Sequence, residues 1–252
     1  MIDYWRWVAE GKSVGLLDEI TIITEQQKNL AEICFNYGVT TLCHFTHIKN
    51  LPMILQYGLL CRQMLNRLKI PYKYNDYYRY DKRLDCISLS VSKINDELIE
   101  AFVGRDGGEI DDYVILGIDA SLLYREIENE RIYCQTNAAT SRCRKGNDIS
   151  DFEAMFANVV EYQTSYGTKR FVRNEIGVKD NETTAPQAEI LWQGWIKPTY
   201  IKYIIPYKNQ TKFDNSYDPY AETHSRQNQN SQQEKVTEIN IDDFDDDTEL
   251  PF

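Results

Sequence analysis

The chain has only three histidines, six cysteines and seven prolines in 252 residues, and it lacks most of the short motifs that announce a chemistry. It contains no G-x-x-x-x-G-K-[ST], G-x-G-x-x-G or H-E-x-x-H. The commonest phosphate-loop, dinucleotide-fold and zinc-protease readings therefore fall away. The cysteines (Cys34, Cys43, Cys61, Cys86, Cys134, Cys143) form no C-x-x-C pair, so a metal site is not expected. Several stand beside apolar residues and read as small core hydrophobes in a reducing compartment. No apolar run approaches the length of a membrane span, and MIDYWRWVAEGK has no basic start before an apolar stretch. The expectation is a cytoplasmic protein with neither anchor nor secretory signal, in which the Asn-x-Thr triplets at Asn181 and Asn209 mean nothing.

What is present is a large aromatic load and an uneven charge. Four tryptophans and eighteen tyrosines suit core packing, or base stacking on single-stranded nucleic acid. Hydrophobic residues make up 42%, enough for a globular body. The net charge of −11 is concentrated at one end: residues 209–252 hold eleven acidic side chains against three basic ones, leaving about −3 for the first 208 residues. A nucleic-acid groove on that nearly neutral body is not excluded by the low pI.

Thr41–Leu60, TLCHFTHIKNLPMILQYGLL, opens with an alternation over residues 42–46 that predicts a strand. It then takes a helical period through Ile48, Leu51, Ile54 and Leu55 and stops at Gly58. His44 and His47 flank this junction, whose backbone N–H groups suit an anion such as a pyrophosphate. Upstream, residues 1–38 read as helical, with Leu30, Ile33 and Phe35 around one face and a stop at Gly38; a packing or capping role is expected. Downstream, Cys61–Tyr80 is basic and tyrosine-rich and reads as a loop, either solvated or lying over a ligand. DCISLSVS (85–92) alternates as a strand, a helix follows near 95–103, and 104–112 reads as a polar turn. YVILGI (113–118) reads as a buried central strand, 119–124 as a short helical turn, and 131–135 as another strand. Residues 152–160 have helical spacing, 167–185 read as loop, and 187–192 and 200–206 as strands.

The strands interleave too irregularly for a doubly wound sheet, so the fold class expected is α+β. Three segments are expected: a helical extension over 1–40, a mixed α and β domain over 41–207, and a disordered polar and acidic tail over 208–252.

Polar residues beside the strands are the candidates for chemistry: His44, Thr46, Arg79, Arg83, Asn137 and Glu189. Each also has a structural reading. A histidine near a strand end is often a satisfied structural group. Arg83 beside Asp81 and Asp85 reads equally as a surface ion pair, and Glu189 in QAEILW as the solvent face of a half-exposed strand.

Taken together, HFTHIKNLPMILQYGLL, then NDYYRYDKRLDCISLSVS, QTNAATS and PQAEILW follow in the order of the DarT family, which the chain resembles from about Thr41 to Tyr207. That family's members are ADP-ribosyltransferases that modify bases in DNA, usually toxins countered by an antitoxin. The resemblance implies an ADP-ribosyltransferase-like mixed sheet core, NAD+ as co-substrate and single-stranded DNA as acceptor. It implies that His44 and Thr46 contact NAD+, with Asn50 beside them supporting the fold or the cofactor. Arg79, or Arg83 close behind it, would pair with the NAD+ phosphates, and Glu189 would be the catalytic carboxylate. Asn137 and Gln187 are substrate-side candidates. TNAAT is similar to the guanine-modifying branch, so guanine and thymine both stand as acceptors, and RNA or protein acceptors are the alternatives. A phage-defence setting fits as well.

The ending DDFDDDTELPF resembles the C-terminal tip of bacterial single-stranded-DNA-binding protein, in which a terminal Pro-Phe follows an acidic run. The resemblance implies that Leu250, Pro251 and Phe252 dock proteins that recognise such tails. Alternatives are a cis-inhibitory charge mimic, a plain solubilising tail, and a non-catalytic binding module that works through the tip.

Overall fold

The computed structural model describes residues 24–207 apart from 75, 77, 78, 107, 108, 165 and 166. The helical reading of the first residues and every expectation for the tail, its tip included, lie outside the described residues.

The described chain opens on α1 (Glu25–Tyr37), β1 (Thr41–His47), α2 (Leu51–Tyr57), β2 (Leu59–Leu60) and α3 (Arg62–Leu68). It continues through β3 (Cys86–Val91), α4 (Asp96–Asp106), β4 (Tyr113–Asp119), α5 (Leu122–Arg125) and β5 (Arg131–Cys134). Then come β6 (Lys145–Gly146), α6 (Ile149–Ala154), β7 (Val159–Thr164), β8 (Gly167–Val172) and α7 (Arg173–Ile176). β9 (Glu189–Gln193), β10 (Trp195–Ile196) and β11 (Ile201–Pro206) close it. The main sheet is antiparallel throughout, in the order β11-β4-β1-β3-β9-β5-β6. The fold is α+β, as expected.

β4 shows why its sequence is an unbroken apolar run. Val114, Leu116 and Ile118 face a large core shared with Leu30 and Cys34 of α1, Leu122 and Leu123 of α5, and Phe152 of α6. Tyr113 and Ile115, on the opposite face, pack with Ile94, Ile99 and Ile205. A strand buried on both faces has no solvent side on which to place polar residues. α1 starts on a reciprocal cap between Thr24 and Gln27 and ends at Gly38, whose φ of +69° is a left-handed C-cap. Its buried face is Gln27, Leu30, Ala31 and Cys34, whereas Phe35 is 77% exposed. That corrects the expected face: Leu30 to Cys34 is an i, i+4 step, and Phe35 falls a further 100° round. Leu55 is likewise 50% exposed; α2 is only two turns long and buries Leu51 and Ile54 alone.

Three other segments differ from expectation. Cys61–Tyr80 is not all loop, since α3 occupies its first part. The helix expected over 152–160 ends at Ala154, and Val159 and Val160 already belong to β7. Residues 167–172, read as loop, form β8 in a hairpin with β7. Its sequence GTKRFV is polar because four of its six residues are exposed, so the pattern that would betray a half-buried strand is missing.

One irregularity positions everything that follows. β1 and β3 share only two register pairs, Leu42 with Val91 and Cys43 with Ser90. Beyond them β1 stays paired with β4 as far as His47, and β3 stays paired with β9 as far as Cys86. The sheet therefore splits into two halves, and the split exposes the last residues of β1 to the first of β3.

Candidate active site

A cavity of about 330 Å³ opens at this split. Its wall includes His44, Thr46 and Asn50 from the β1 end, Arg62, Arg79 and Asp81 from the segment before β3, Ser88 on β3, and Asn137 and Glu189 across the sheet.

His44 bridges the gap between the strands. Its Nδ1 lies 2.9 Å from the Ser88 carbonyl oxygen, which can only accept, so Nδ1 carries the proton and Nε2 is left as an acceptor. Burial, reinforced by Arg79 and Arg62, holds the imidazolium down to about 4 against the pull of the Ser88 carbonyl. The ring is neutral at physiological pH. Thr46 is buried, and its hydroxyl accepts from Asn50 Nδ2 at 2.9 Å. The same Asn50 amide donates to Lys73 O (2.8 Å), and Asn50 Oδ1 accepts from Lys73 N (2.8 Å). Asn50 thus ties the segment after α3 to the end of β1, besides lining the cavity. His47 accepts from Lys49 N at 3.1 Å. The junction therefore spends on its own side chain an N–H that the sequence left for an anion.

Arg79 sits in a left-handed backbone conformation, φ +37°, uncommon for a residue with a Cβ. Its guanidinium is fixed from several sides. Nη2 donates to Arg83 O (2.6 Å) and Cys86 O (3.2 Å), Nη1 reaches Ser88 Oγ at 3.4 Å, and Nη2 pairs with Asp81 Oδ2 at 3.0 Å. Both side chains of that pair are about 10% exposed (11% and 10%). The Arg79 Nε–H is buried with no partner. Arg83 is spent elsewhere. It makes a two-point pair with Asp85 (2.9 and 3.0 Å) and reaches Glu130 (2.9 Å), and it is not part of the cavity wall. That pair drives the Asp85 carboxyl down to about 2 and raises Arg83 above its usual range.

Glu189 is the first residue of β9, opposite Cys134 of β5. Its Oε1 accepts from Ala138 N at 2.6 Å. Asn137 shapes the turn that presents this N–H, its Oδ1 accepting from Ala139 N at 2.9 Å. Burial pushes the Glu189 carboxyl up, and Asp81 adds to it; the Ala138 N–H, the Ser88 hydroxyl and Arg79 pull the other way without cancelling the rise. Gln187, two residues upstream, is half-buried and off the cavity wall.

The structure thus brings His44, Thr46, Asn50, Arg79, Asn137 and Glu189 together and leaves Arg83 and Gln187 outside. It adds Ser88, Asp81 and Arg62, which sequence reasoning did not single out. Ser88 was detectable only as the first serine of an alternating SLS, and Arg62 as one base in a basic stretch. Arg62 donates to Asp76 O (2.5 Å) and lies 4.9 Å from the Tyr74 ring centroid. Among the described residues no cluster of His, Cys, Asp and Glu could hold a metal, and no helix is long and apolar enough to cross a membrane.

A carboxylate of raised pKa, a neutral imidazole acceptor and a buried arginine with an unused donor, all on one cleft, suit cleavage of the nicotinamide–ribose bond. Such a cleft is of the kind that an NAD-dependent ADP-ribosyltransferase needs. The chain belongs to the DarT family, described as ssDNA thymidine ADP-ribosyltransferase, whose sequence profile matches residues 43–235. Among solved structures it is similar to Thermus sp. 2.9 DarT in complex with NAD+ (18% identity, TM-score 0.44, covering 68% of this chain and 83% of that one). It is also similar to the same protein in complex with ADP-ribosylated ssDNA (19%, 0.45, 69% and 84%). With Thermosipho africanus DarTG in complex with ADP-ribose the figures are 16%, 0.46, 66% and 43%, so the chain spans less than half of that one's length. No curated protein matches the chain in sequence.

Proposed function

We propose that the protein transfers ADP-ribose from NAD+ to a thymine or guanine in single-stranded DNA, with Glu189 as the catalytic carboxylate. The observation that carries this reading is the convergence of His44, Arg79, Ser88 and Glu189 on one cavity at the split of the sheet. Loss of nicotinamide develops positive charge on the ribose. A carboxylate held at the sugar stabilises that charge and orients a ribose hydroxyl. Because burial raises its proton affinity, Glu189 is also suited to take the proton that makes a base nitrogen a poor nucleophile. Ala138 N–H and Ser88 Oγ hold the carboxylate, so it cannot swing away from the sugar. Neutral His44 offers Nε2 as an acceptor to a ribose hydroxyl, and Thr46 keeps an O–H to donate. Arg79 is the phosphate partner in preference to Arg83, whose guanidinium already serves two carboxylates.

Single-stranded DNA is the acceptor because a base in a duplex must first be extruded to reach such a cleft. The family description favours thymine and the TNAAT segment guanine. In the cell the protein is read as a cytoplasmic toxin or phage-defence effector restrained by an antitoxin. Its catalytic domain is assigned to 41–207, and its tail to docking on proteins that recognise acidic Pro-Phe tips. The decisive experiment incubates labelled NAD+ with separate single-stranded DNA, RNA and protein acceptors and locates the modified base by mass spectrometry. Label on DNA that vanishes in Glu189→Ala is expected. Label on RNA or protein alone, or parental transfer by Glu189→Ala, overturns the assignment.

A further inference from the structure

Lys145, Cys134 and Glu189 form one rung across neighbouring strands. Cys134 of β5 pairs with Lys145 of β6 on one side and with Glu189 of β9 on the other. Directly opposed residues of an antiparallel sheet point to the same face. Ala138, in the turn after β5, is buried in a cluster with Cys134 and is gripped from both ends of this rung. Its N–H donates to Glu189 Oε1 at 2.6 Å, and its carbonyl accepts from the Lys145 ammonium. Lys145 is an exposed residue, and such a lysine normally leaves its ammonium to water.

The strand that delivers this cation is short but fixed on both sides of it. Arg144 O accepts from Gln135 N at 3.0 Å, and the Arg144 guanidinium holds Asp151 Oδ1 (2.8 Å) and Ser150 Oγ (3.1 Å). Gly146 lies opposite Tyr133, and a Cβ there would stand 1.9 Å from Asp151 Oδ2, so glycine lets α6 come this close. The turn's own ties, Thr140 N to Asn137 O and Ala139 N to Asn137 Oδ1 (both 2.9 Å), are neutral hydrogen bonds. A bond from an ammonium is roughly twice as strong.

We propose that Lys145 is a positioning residue for the transfer reaction: by fixing the Ala138 carbonyl it keeps the Ala138 N–H on Glu189 and so aims the carboxylate at the ribose. This rests on the reading of Glu189 as the catalytic carboxylate. Lys145 itself touches neither NAD+ nor the acceptor in this role.

The pH profile separates positioning from mere structure. Glu189 is faced by Arg79 and Asp81 from the turn before β3, by the Ser88 hydroxyl, and by the Cys134 and Cys143 thiols, which burial keeps protonated at neutral pH. The Ala138 N–H draws the Glu189 carboxyl down against its burial. Loosening that bond therefore moves the acidic limb of kcat/KM upward.

The test compares the full chain with Lys145→Met, which keeps the stem without the charge, and Lys145→Arg, which keeps a cationic donor. Steady-state transfer to a single-stranded oligonucleotide is followed across pH, and hydrogen exchange of the Ala138 amide is followed by NMR. Lys145→Met should lower kcat on the order of 10- to 100-fold, as a misplacement of up to about 1 Å would, with the NAD+ KM within about twofold of the parent. The acidic limb moves upward and the Ala138 amide exchanges faster, and Lys145→Arg reverses both. The inference falls if Lys145→Met leaves kcat within about twofold of the parent, if the acidic limb stays in place, or if Arg restores neither rate nor exchange. Loss of the folded state in Lys145→Met, read by circular dichroism, also overturns it, because a side chain that only aims Glu189 is not needed for folding. If the parent transfers no ADP-ribose, the functional reading itself falls, whereas unchanged Ala138 exchange in Lys145→Met sinks the clamp alone.

Discussion

Asp81 offers the sharpest test of how the cleft is held, because its carboxylate contacts Arg79 and raises Glu189 at the same time. The pair lies at 3.0 Å with both side chains about 10% exposed (11% and 10%). Unit charges at that distance attract by about 5 kcal/mol at an effective dielectric constant of about 20, before desolvation is counted. Removing one partner of a buried pair typically costs about 3–5 kcal/mol, since the other charge is left uncompensated. Here Arg83 O and Cys86 O remain as acceptors for Arg79, so Asp81→Ala should fall near the low end, about 3 kcal/mol. For a body of this size that lowers Tm by about 6–12 °C. Asp81→Asn keeps an acceptor oxygen and should lose less. The electrostatic consequence is the same in both variants. Asp81 helps to raise the Glu189 carboxyl, so its removal lets Glu189 ionise at lower pH and moves the acidic limb of the kcat/KM profile downward. kcat should also fall, about a hundredfold for a shift of Arg79 on the order of 1 Å. Thermal unfolding followed by circular dichroism, together with oligonucleotide modification across the acid range, reads both effects. An unchanged Tm would refute the buried pair. A lower Tm with an unmoved acidic limb would reduce Asp81 to a structural part.

Two further predictions concern the titrating groups themselves. A carboxyl with a raised pKa is ionised in the unfolded chain before it is ionised in the folded one, so its contribution to stability declines as pH rises above the ordinary carboxylate value. Glu189→Gln should therefore abolish transfer yet raise Tm at neutral pH, with the gain shrinking as the solution is acidified. A Tm lower than the parent's at neutral pH would contradict the burial argument. His44 is the opposite case: its pKa is held at about 4 against an ordinary 6.5, so the stability it contributes is complete above 6.5 and is lost as pH falls toward 4. The imidazole resonance that disappears in His44→Gln should show no titration from about pH 8 to about pH 5 by NMR. An inflection near 6.5 would place His44 in water instead of in the cleft.

Much of this protein could be read along the chain, because its strongest signals are local. Gly38 and Gly58 end helices where they were expected to: Gly38 closes a left-handed cap, and Gly58 follows α2 at φ +82°, where a Cβ would lie 2.2 Å from Ile196 O. The apolar run of β4 and the alternation of β3 gave their strands, since burial on two faces and on one face write different periods. The β7–β8 hairpin was missed because two short strands with few buried positions lack that period. Phe35 and Leu55 were misplaced because hydrophobicity alone does not say which side of a helix meets a core.

The site divides the same way. His44, Thr46 and Glu189 stood out as polar residues at strand ends, and their order along the chain resembles one family. Which arginine faces the cleft was not decidable from RYDKR, where two guanidiniums four residues apart have acids within reach of both. The loop geometry decided it by turning Arg83 to Asp85 and Glu130 and folding Arg79 back over Asp81 and Ser88. Nor could spacing show that β1 and β3 part after two register pairs. The cleft exists because each strand keeps its outer partner while giving up the other, and that competition among long-range pairings is a property of the assembled sheet.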